Sequence, residues 1–231
     1  MISIIIPTYN EADQIVTTLI KLYEKNNGED FEIIVSDGSS TDDTMALAKQ
    51  AGAMVLRSPR KGRAAQMNFG ASLAKGEILY FLHADTIPPK GYLTDIIQAV
   101  AKGYPAGCFM LSFDYPHWFL KANCWFTRFD LNSIRFGDQS LFVTKSAFEK
   151  TGGFSEAHIV LEDQHLIKRL RKNARFKIVK KPVVTSARKY LENGIYKTQL
   201  IFFIIYFLYI LGFSQARLLS IYKKMIIQNK L

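Results

Sequence analysis

The chain has 231 residues, 48% hydrophobic and 22% charged, with a net charge of +10. This composition excludes a disordered, collagen-like or coiled-coil chain. Two cysteines without paired spacing, Cys108 and Cys124, exclude a disulfide scaffold and a thiolate zinc cluster, and they favour a reduced compartment. The surplus of positive charge points to an anionic partner, whether phosphate, membrane or nucleic acid.

The apolar start Ile2–Ile6 is short, lacks a basic lead-in and stops at Pro7, so it is not read as a signal peptide. Ile2–Ile6, Glu32–Ser36, Ala53–Arg57 and Glu77–Leu82 read as strands, nearly continuous in apolar residues as buried parallel strands are. Helical patterns lie between them, near Glu11–Lys25, Thr41–Gln50 and Arg63–Lys75. Asn10 is the expected cap of the first and the Ser39–Asp43 cluster that of the second. Such alternation predicts a doubly wound α/β sheet whose ligands bind beyond the carboxyl ends of the strands. Those ends are Pro7–Glu11, Asp37–Thr41, Ser58–Arg63 and His83–Thr86.

Further on, Ala106–Asp114 reads as a strand and Pro116–Asn132 as a helix. Its aromatic stripe, Trp118, Trp125, Phe126 and Phe129, is expected to be core. Ser140–Thr144 reads as a strand, Gly152–Gly153 as a turn and Glu162–Lys172 as a helix. Phe176–Lys180 and Val183–Ser186 read as two further strands. The economical division is a domain over 1–194 with an apolar, then basic, appendage over 195–231. From Gln164 to Leu191 ten basic residues occur and no acidic one. A solvated basic face is the plain account of that run; phosphate recognition and attraction to anionic lipid are the alternatives.

Neither G-x-G-x-x-G after the first strand nor G-x-x-x-x-G-K-[ST] is present, which weakens dinucleotide and P-loop readings. An acidic residue beyond a buried strand costs stability unless it serves as a cap, a base or a metal ligand. Taken singly, Asp37 and Asp85 suit turns, and Glu162-Asp163 suits the start of a helix with Lys168, Arg169, Arg171 and Lys172 further along.

The ordered set says more. SIIIPTYNE (Ser3–Glu11), VSDGSSTDDT (Val35–Thr44), KGRAAQMNFGASLAKGEILYFLHADT (Lys61–Thr86) and GGFSE…LEDQHLIKRL (Gly152–Leu170) follow one another. Together they resemble the family 2 glycosyltransferases, over about Ser3–Lys189. GRAAQMN, FLHADT, FGDQSLFV and TSARKY are similar in particular to the bacterial radical-SAM/selenodomain-associated subgroup, whose acceptor is undefined. The resemblance implies a GT-A fold, a Rossmann-like and mostly parallel sheet flanked by helices, and transfer of a sugar from a nucleotide-sugar donor.

Residue by residue, the resemblance assigns Pro7, Tyr9 and Glu11 to the first nucleotide-contacting turn and Asp37 to the base. Arg63 falls near the base and phosphates. His83-Ala84-Asp85 stands where the family carries D-x-D, with His83 in place of the first Asp and Asp85 kept at the metal position. The implied ion is Mg²⁺ or Mn²⁺, a hard cation that neutralises the leaving diphosphate as a Lewis acid. Glu162-Asp163 matches the family's E-D motif, with Asp163 as the base of an inverting displacement.

Two other classes compete. A nucleotidyltransferase shares the layered sheet and a metal-binding carboxylate, but Pro7–Glu11 lacks the glycine-rich loop of that class. A non-catalytic basic protein on a membrane would explain the charge but not the carboxylates at the strand ends. Nucleic acid is disfavoured, since no helix-turn-helix, zinc-finger or aromatic RNP pattern is present.

Thr198–Ala216 has no charge, and its apolar centre Leu200–Phe213 spans about 21 Å as a helix, against a hydrocarbon core of about 30 Å. The expectation is a cytosolic enzyme whose tail packs partly on the domain and partly on the inner membrane surface, aided by Arg217, Lys223 and Lys224; a tail wholly buried in the domain or in a dimer interface is the equal alternative.

Overall fold

The computed structural model describes residues 1–130 and 137–227. One eight-stranded sheet runs in the order β3-β2-β1-β4-β7-β6-β8-β5. Its strands are β1 (Ile2–Thr8), β2 (Phe31–Asp37), β3 (Met54–Arg57), β4 (Ile78–Phe81), β5 (Thr86–Ile87), β6 (Ala106–Phe113), β7 (Leu141–Thr144) and β8 (Phe176–Thr185). The β3-β2-β1-β4 half is parallel; β7 runs antiparallel to both β4 and β6. This is the α/β, mostly parallel sheet flanked by helices that the strand–helix alternation predicts.

Alternation along the strands divides the core into two layers. Ile4, Ile6, Val35 and Tyr80 face α1 (Ala12–Lys25), α2 (Thr44–Gln50) and α4 (Tyr92–Ala101). Ile5, Ile34, Leu79 and Phe81 face α3 (Arg63–Leu73), α6 (Lys145–Thr151) and α7 (Glu162–Asn173). Both faces are covered, which is why the first strands read as unbroken apolar runs. Each fully buried Ile or Leu contributes about 1.5–3 kcal/mol. Gly70 lets α3 close on β1, since a Cβ there would stand 2.6 Å from the Ile5 side chain.

Three expectations need correction. The two strands at Phe176–Lys180 and Val183–Ser186 are one strand, β8. Its pairing with β6 jumps from Val179 to Pro182, leaving exposed Lys180 and Lys181 as a bulge that accommodates a proline without an N–H. The expected helix Pro116–Asn132 is α5 (Trp118–Phe126), and its last residues, 131–132, lie outside the described residues, as does Phe136 of the FGDQSLFV string. The α5 aromatic stripe is not core: Trp118 is 66% exposed, and Trp125, Phe126 and Phe129 are exposed too.

The chain ends in α8 (Arg188–Asn193), α9 (Ile195–Ile210) and α10 (Gln215–Met225). Among the described residues no helix is long and apolar enough to cross a membrane. α9 is turned inside out. It buries Thr198 and Gln199 beside Ile201 and Ile205, while Tyr196, Leu200, Phe203, Phe207 and Ile210 each stay more than half exposed. Those five follow one another at helical spacing and form one stripe. The inner face of α9 and Ile226 pack on Val160 and Leu161, and Gln215 Oε1 accepts from Ile159 N (3.1 Å) and Val160 N (2.9 Å). The tail therefore braces the loop that leads into α7.

Candidate active site

Register fixes where the site residues fall. Thr8 pairs with Asp37, so the loops after β1 and β2 leave the sheet side by side and interlock. Asn10 N donates to Ser40 Oγ (2.9 Å), Thr41 N to Asn10 Oδ1 (2.9 Å) and Glu11 N to Thr44 Oγ1 (2.8 Å). This corrects the expected capping. Asn10 does not cap α1; Asp42, from the second loop, accepts from Ala12 N at the helix start (3.2 Å). Gln66 of α3 bridges the two strand ends, its Nε2 donating to Thr8 O (2.6 Å) and Ser36 O (2.9 Å).

Asp37 is fully buried at the base of these loops. Its Oδ2 accepts from Thr8 Oγ1 (2.9 Å) and Ser40 Oγ (2.5 Å), and its Oδ1 from Ser40 N (2.8 Å). A carboxylate offers about four lone-pair sites. One of the donors comes from β1 and two from the turn. Pro7 is buried in β1 and Tyr9 is half-buried beside it.

At the end of β4, His83 and Asp85 meet two residues that sequence reading left without a role. The antiparallel pairing Phe81↔Leu141 carries Asp138 to His83, whose Nδ1 lies 3.1 Å from Asp138 Oδ1. Burial opposes charge on His83, but the hydrogen bond and charge of Asp138 outweigh it and raise its pKa. Burial likewise works against ionised Asp138, and the His83 bond and charge, with Lys189 and Arg63, bring it down to about 2. Each partner thus favours the charged form of the other.

Asp85 is approached by the end of β8. Thr86 pairs with Thr185, and Ser186 N donates to Asp85 O (3.2 Å). Arg188, the first residue of α8, then lies with Nη2 2.9 Å from Glu11 Oε2, 3.1 Å from Glu11 Oε1 and 3.4 Å from Asp85 Oδ2. Burial raises the Asp85 pKa, against the pull of His83 and Arg188. Glu11, Asp85 and Arg188 are thus one cluster.

The third group stands where α3 and α7 begin. Arg63 Nε lies 2.8 Å from Glu162 Oε1, and Glu162 is 1% exposed. Asp163 follows, buried, at the first turn of a helix that no side chain caps. Burial raises its pKa well above the carboxylate range and Glu162 adds to that, while Arg63 and His83 oppose. A carboxyl held there accepts a proton readily once ionised.

Among the described residues, the non-glycine positions at positive φ are Asn10, Ser39, Ser140 and Leu161. Each lies within two residues of a site residue: Glu11, Asp37, Asp138 and Glu162. Held strain of this kind concentrates at functional sites.

A mostly parallel sheet flanked by helices, with carboxylates gathered at its carboxyl edge, makes this a GT-A-type fold. The chain belongs to glycosyl transferase family 2, whose model matches residues 3–153. It is 27% identical over 107 residues to a dolichol-phosphate mannosyltransferase of Pyrococcus furiosus, covering 44% of this chain and 30% of that protein. Over 110 residues it is 29% identical to the GalNAc(5)-diNAcBac-PP-undecaprenol beta-1,3-glucosyltransferase of Campylobacter jejuni, covering 45% of this chain and 35% of that one. The chain thus spans about a third of the length of these relatives. In fold it is similar to the mannosyltransferase PcManGT of Pyrobaculum calidifontis in complex with GDP-Man and Mn²⁺, with TM-score 0.71, 19% identity, and 92% and 64% of the two chains covered. S. aureus TarS 1–349 in complex with UDP is also similar, with TM-score 0.68, 19% identity, and 80% and 60% covered.

Proposed function

We propose that the chain transfers a sugar from a nucleotide-sugar donor to an acceptor hydroxyl, with inversion and with help from Mg²⁺ or Mn²⁺. The observation that carries this reading is buried Asp163, its pKa raised, set among Glu162, Arg63 and His83. In the step proposed, the acceptor oxygen attacks the anomeric carbon and its proton passes to the Asp163 carboxylate. The bond from that carbon to the diphosphate breaks, and its electron pair leaves with the nucleoside diphosphate. Glu162 holds Arg63 at the mouth of the site, where its guanidinium meets phosphate.

Pro7, Tyr9 and Glu11 form the nucleotide-facing turn, and the remaining Oδ1 site of Asp37 takes an N–H of the base. Since Asp37 is buried, the Ser39–Ser40 turn must give way for the base to reach it. Asp85 would hold the ion. It is a hard oxygen donor, which suits Mg²⁺ or Mn²⁺. Among the described residues no three His, Cys, Asp or Glu side chains stand close enough to form an all-protein metal site. Oxygens of the diphosphate would complete the set, and the ion, when bound, would supply Lewis-acid neutralisation of the leaving group. His83, paired with Asp138, takes the donor side of the same edge.

The motifs GRAAQMN, FLHADT and TSARKY support membership of the bacterial radical-SAM/selenodomain-associated subgroup. Residues 1–194 serve as the catalytic domain and 195–231 as an attachment. The exposed stripe of α9 and the basic residues of α10 support a cytoplasmic enzyme held peripherally on the inner face of the membrane, with no nucleic-acid partner. A thermal-shift screen of nucleotide sugars with and without Mn²⁺ tests the reading, because ligand at about 100 times its dissociation constant adds roughly 2.7 kcal/mol. No stabilisation by any nucleotide sugar or nucleoside diphosphate, with either ion, overturns it.

A further inference from the structure

Arg188 is brought to the metal-position carboxylate from far away in sequence, and by backbone rather than by chance of side-chain reach. The β5–β8 pairing, the Thr86 Oγ1 to Thr185 Oγ1 bond (2.9 Å) and the Ser186 N to Asp85 O bond fasten the end of β8 against Asp85. Ala187 N donates to Asp114 Oδ1 (2.8 Å), fixing the start of α8 from the other side. The guanidinium then sits between two carboxylates, nearer to Glu11 than to Asp85. Arg188 is only 31% exposed, Glu11 14% and Asp85 20%, so water screens the three weakly.

We propose that Arg188 is the resident cation of the donor site: it neutralises Asp85 while the site is empty and becomes a ligand of the donor's diphosphate. The inference rests on the reading of Asp85 as the metal-holding residue and adds a second cation to it. A divalent ion arriving alone meets a guanidinium already paired with Asp85, and like charges repel at this separation. Ion binding without nucleotide is therefore weak. A nucleoside diphosphate changes the balance, since its oxygens accept from Arg188 and from the ion together. The firmer contact with Glu11 keeps the guanidinium at the cleft while its contact with Asp85 loosens. A planar guanidinium suits diphosphate oxygens better than a point charge does. Arg188 thus makes ion binding conditional on donor binding, and it shares with the ion the charge of the leaving group.

The test uses the full chain, Mn²⁺ alone as one probe, and UDP and GDP as the others. Arg188→Met keeps the bulk and removes the charge; Arg188→Lys keeps the charge and removes the fork. Free Mn²⁺ is followed by electron paramagnetic resonance, and nucleoside diphosphate by calorimetry in chelator. Arg188→Met is expected to bind Mn²⁺ at least about tenfold more tightly than the unmodified chain, and the better of the two diphosphates at least about tenfold more weakly in chelator. Arg188→Lys is expected between the two. Unchanged Mn²⁺ affinity or unchanged diphosphate affinity in Arg188→Met overturns the proposal, as does a Lys variant indistinguishable from Met. Should Arg188→Met not fold, Arg188→Lys decides, through weaker diphosphate binding in chelator. Adding Asp85→Asn to Arg188→Met separates the two readings. If the double variant still binds Mn²⁺ as tightly as Arg188→Met, the ion lies elsewhere and the assignment of Asp85 fails. If Asp85→Asn abolishes Mn²⁺ binding while Arg188→Met leaves it at the unmodified level, only the role of Arg188 fails.

Discussion

Arg63 Nε lies 2.8 Å from Glu162 Oε1, so the first residue of α3 is bound to the first residue of α7. The contact ties together the starts of two helices that pack on the same face of the sheet. It also sets the charge next to Asp163, whose pKa burial and Glu162 raise and Arg63 lowers.

The sign of two substitutions follows. As the proposed base, Asp163 must be ionised to accept a proton, so turnover is expected above its pKa and is expected to fall as pH drops below it. Arg63→Met removes a cation that favours the carboxylate, and the acid limb of the kcat/KM profile is expected to move to higher pH. Glu162→Gln removes a neighbouring negative charge and is expected to move the limb to lower pH. Profiles that shift together, or not at all, would take Asp163 out of the base role.

Asp163→Asn is expected to keep donor binding and to slow transfer by at least about 100-fold, the lower range for a lost general base. It should also stabilise the fold. A carboxyl whose folded pKa is raised favours folding below its unfolded pKa of about 3.9, and that contribution disappears as pH rises through the folded value. The melting temperature of Asp163→Asn relative to the unmodified chain should therefore climb between pH 5 and pH 8. A fall over that window would mark the residue as a structural acid instead.

The parallel half of the sheet was legible because Ile2–Ile6 and Glu32–Ser36 are nearly continuous in apolar residues, as burial on both faces demands. The single strand β8 was not, because Lys180-Lys181-Pro182 reads as an interruption when it is a bulge. Trp118 and its neighbours show the limit of periodicity, which identifies an apolar helix face but not what covers it. The candidate site was legible as a cluster where one loop holds its residues, as with Asp37 or His83 and Asp85. Asp138 and Arg188 lay inside quoted motifs, yet their roles depend on partners placed by strand pairing, Arg188 meeting Glu11 across 177 positions. Gln66 is similar: an amide between two strand ends has no local signature.

Asp85→Asn is expected to abolish the additional stabilisation that Mn²⁺ gives to nucleoside diphosphate binding, while the fold stays intact. An unchanged metal response would exclude Asp85 from the site. His83→Asp is the informative companion. It places a carboxylate against Asp138, whose pKa the hydrogen bond and charge of His83 hold low. Like charges at that separation destabilise, so a lower melting temperature at pH 8 than at pH 4 is expected, relative to the unmodified chain. Equal melting temperatures across that range would mean that the His83–Asp138 pair does not form in solution.

The stripe of α9 makes the last prediction. An exposed face of Leu200, Phe203, Phe207 and Ile210, on a helix that buries Thr198 and Gln199, is the reverse of what water selects. Trp118 extends that face, 6.5 Å from Tyr196 between ring centres. Lys197, Arg217, Lys223 and Lys224 lie along the same tail, and from 193 to 231 the sequence has no acidic residue. Apolar area with a basic rim suits an anionic bilayer surface, and the rim charges of two copies would repel each other. The full chain is therefore expected to float with vesicles containing anionic lipid, less so as salt rises, and to stay behind with neutral vesicles. Phe203→Glu with Phe207→Glu should abolish flotation and leave the melting temperature nearly unchanged, since both side chains are already more than half exposed. A chain that floats with neither vesicle, but changes its oligomeric state in that double variant, would show that the stripe binds protein rather than lipid.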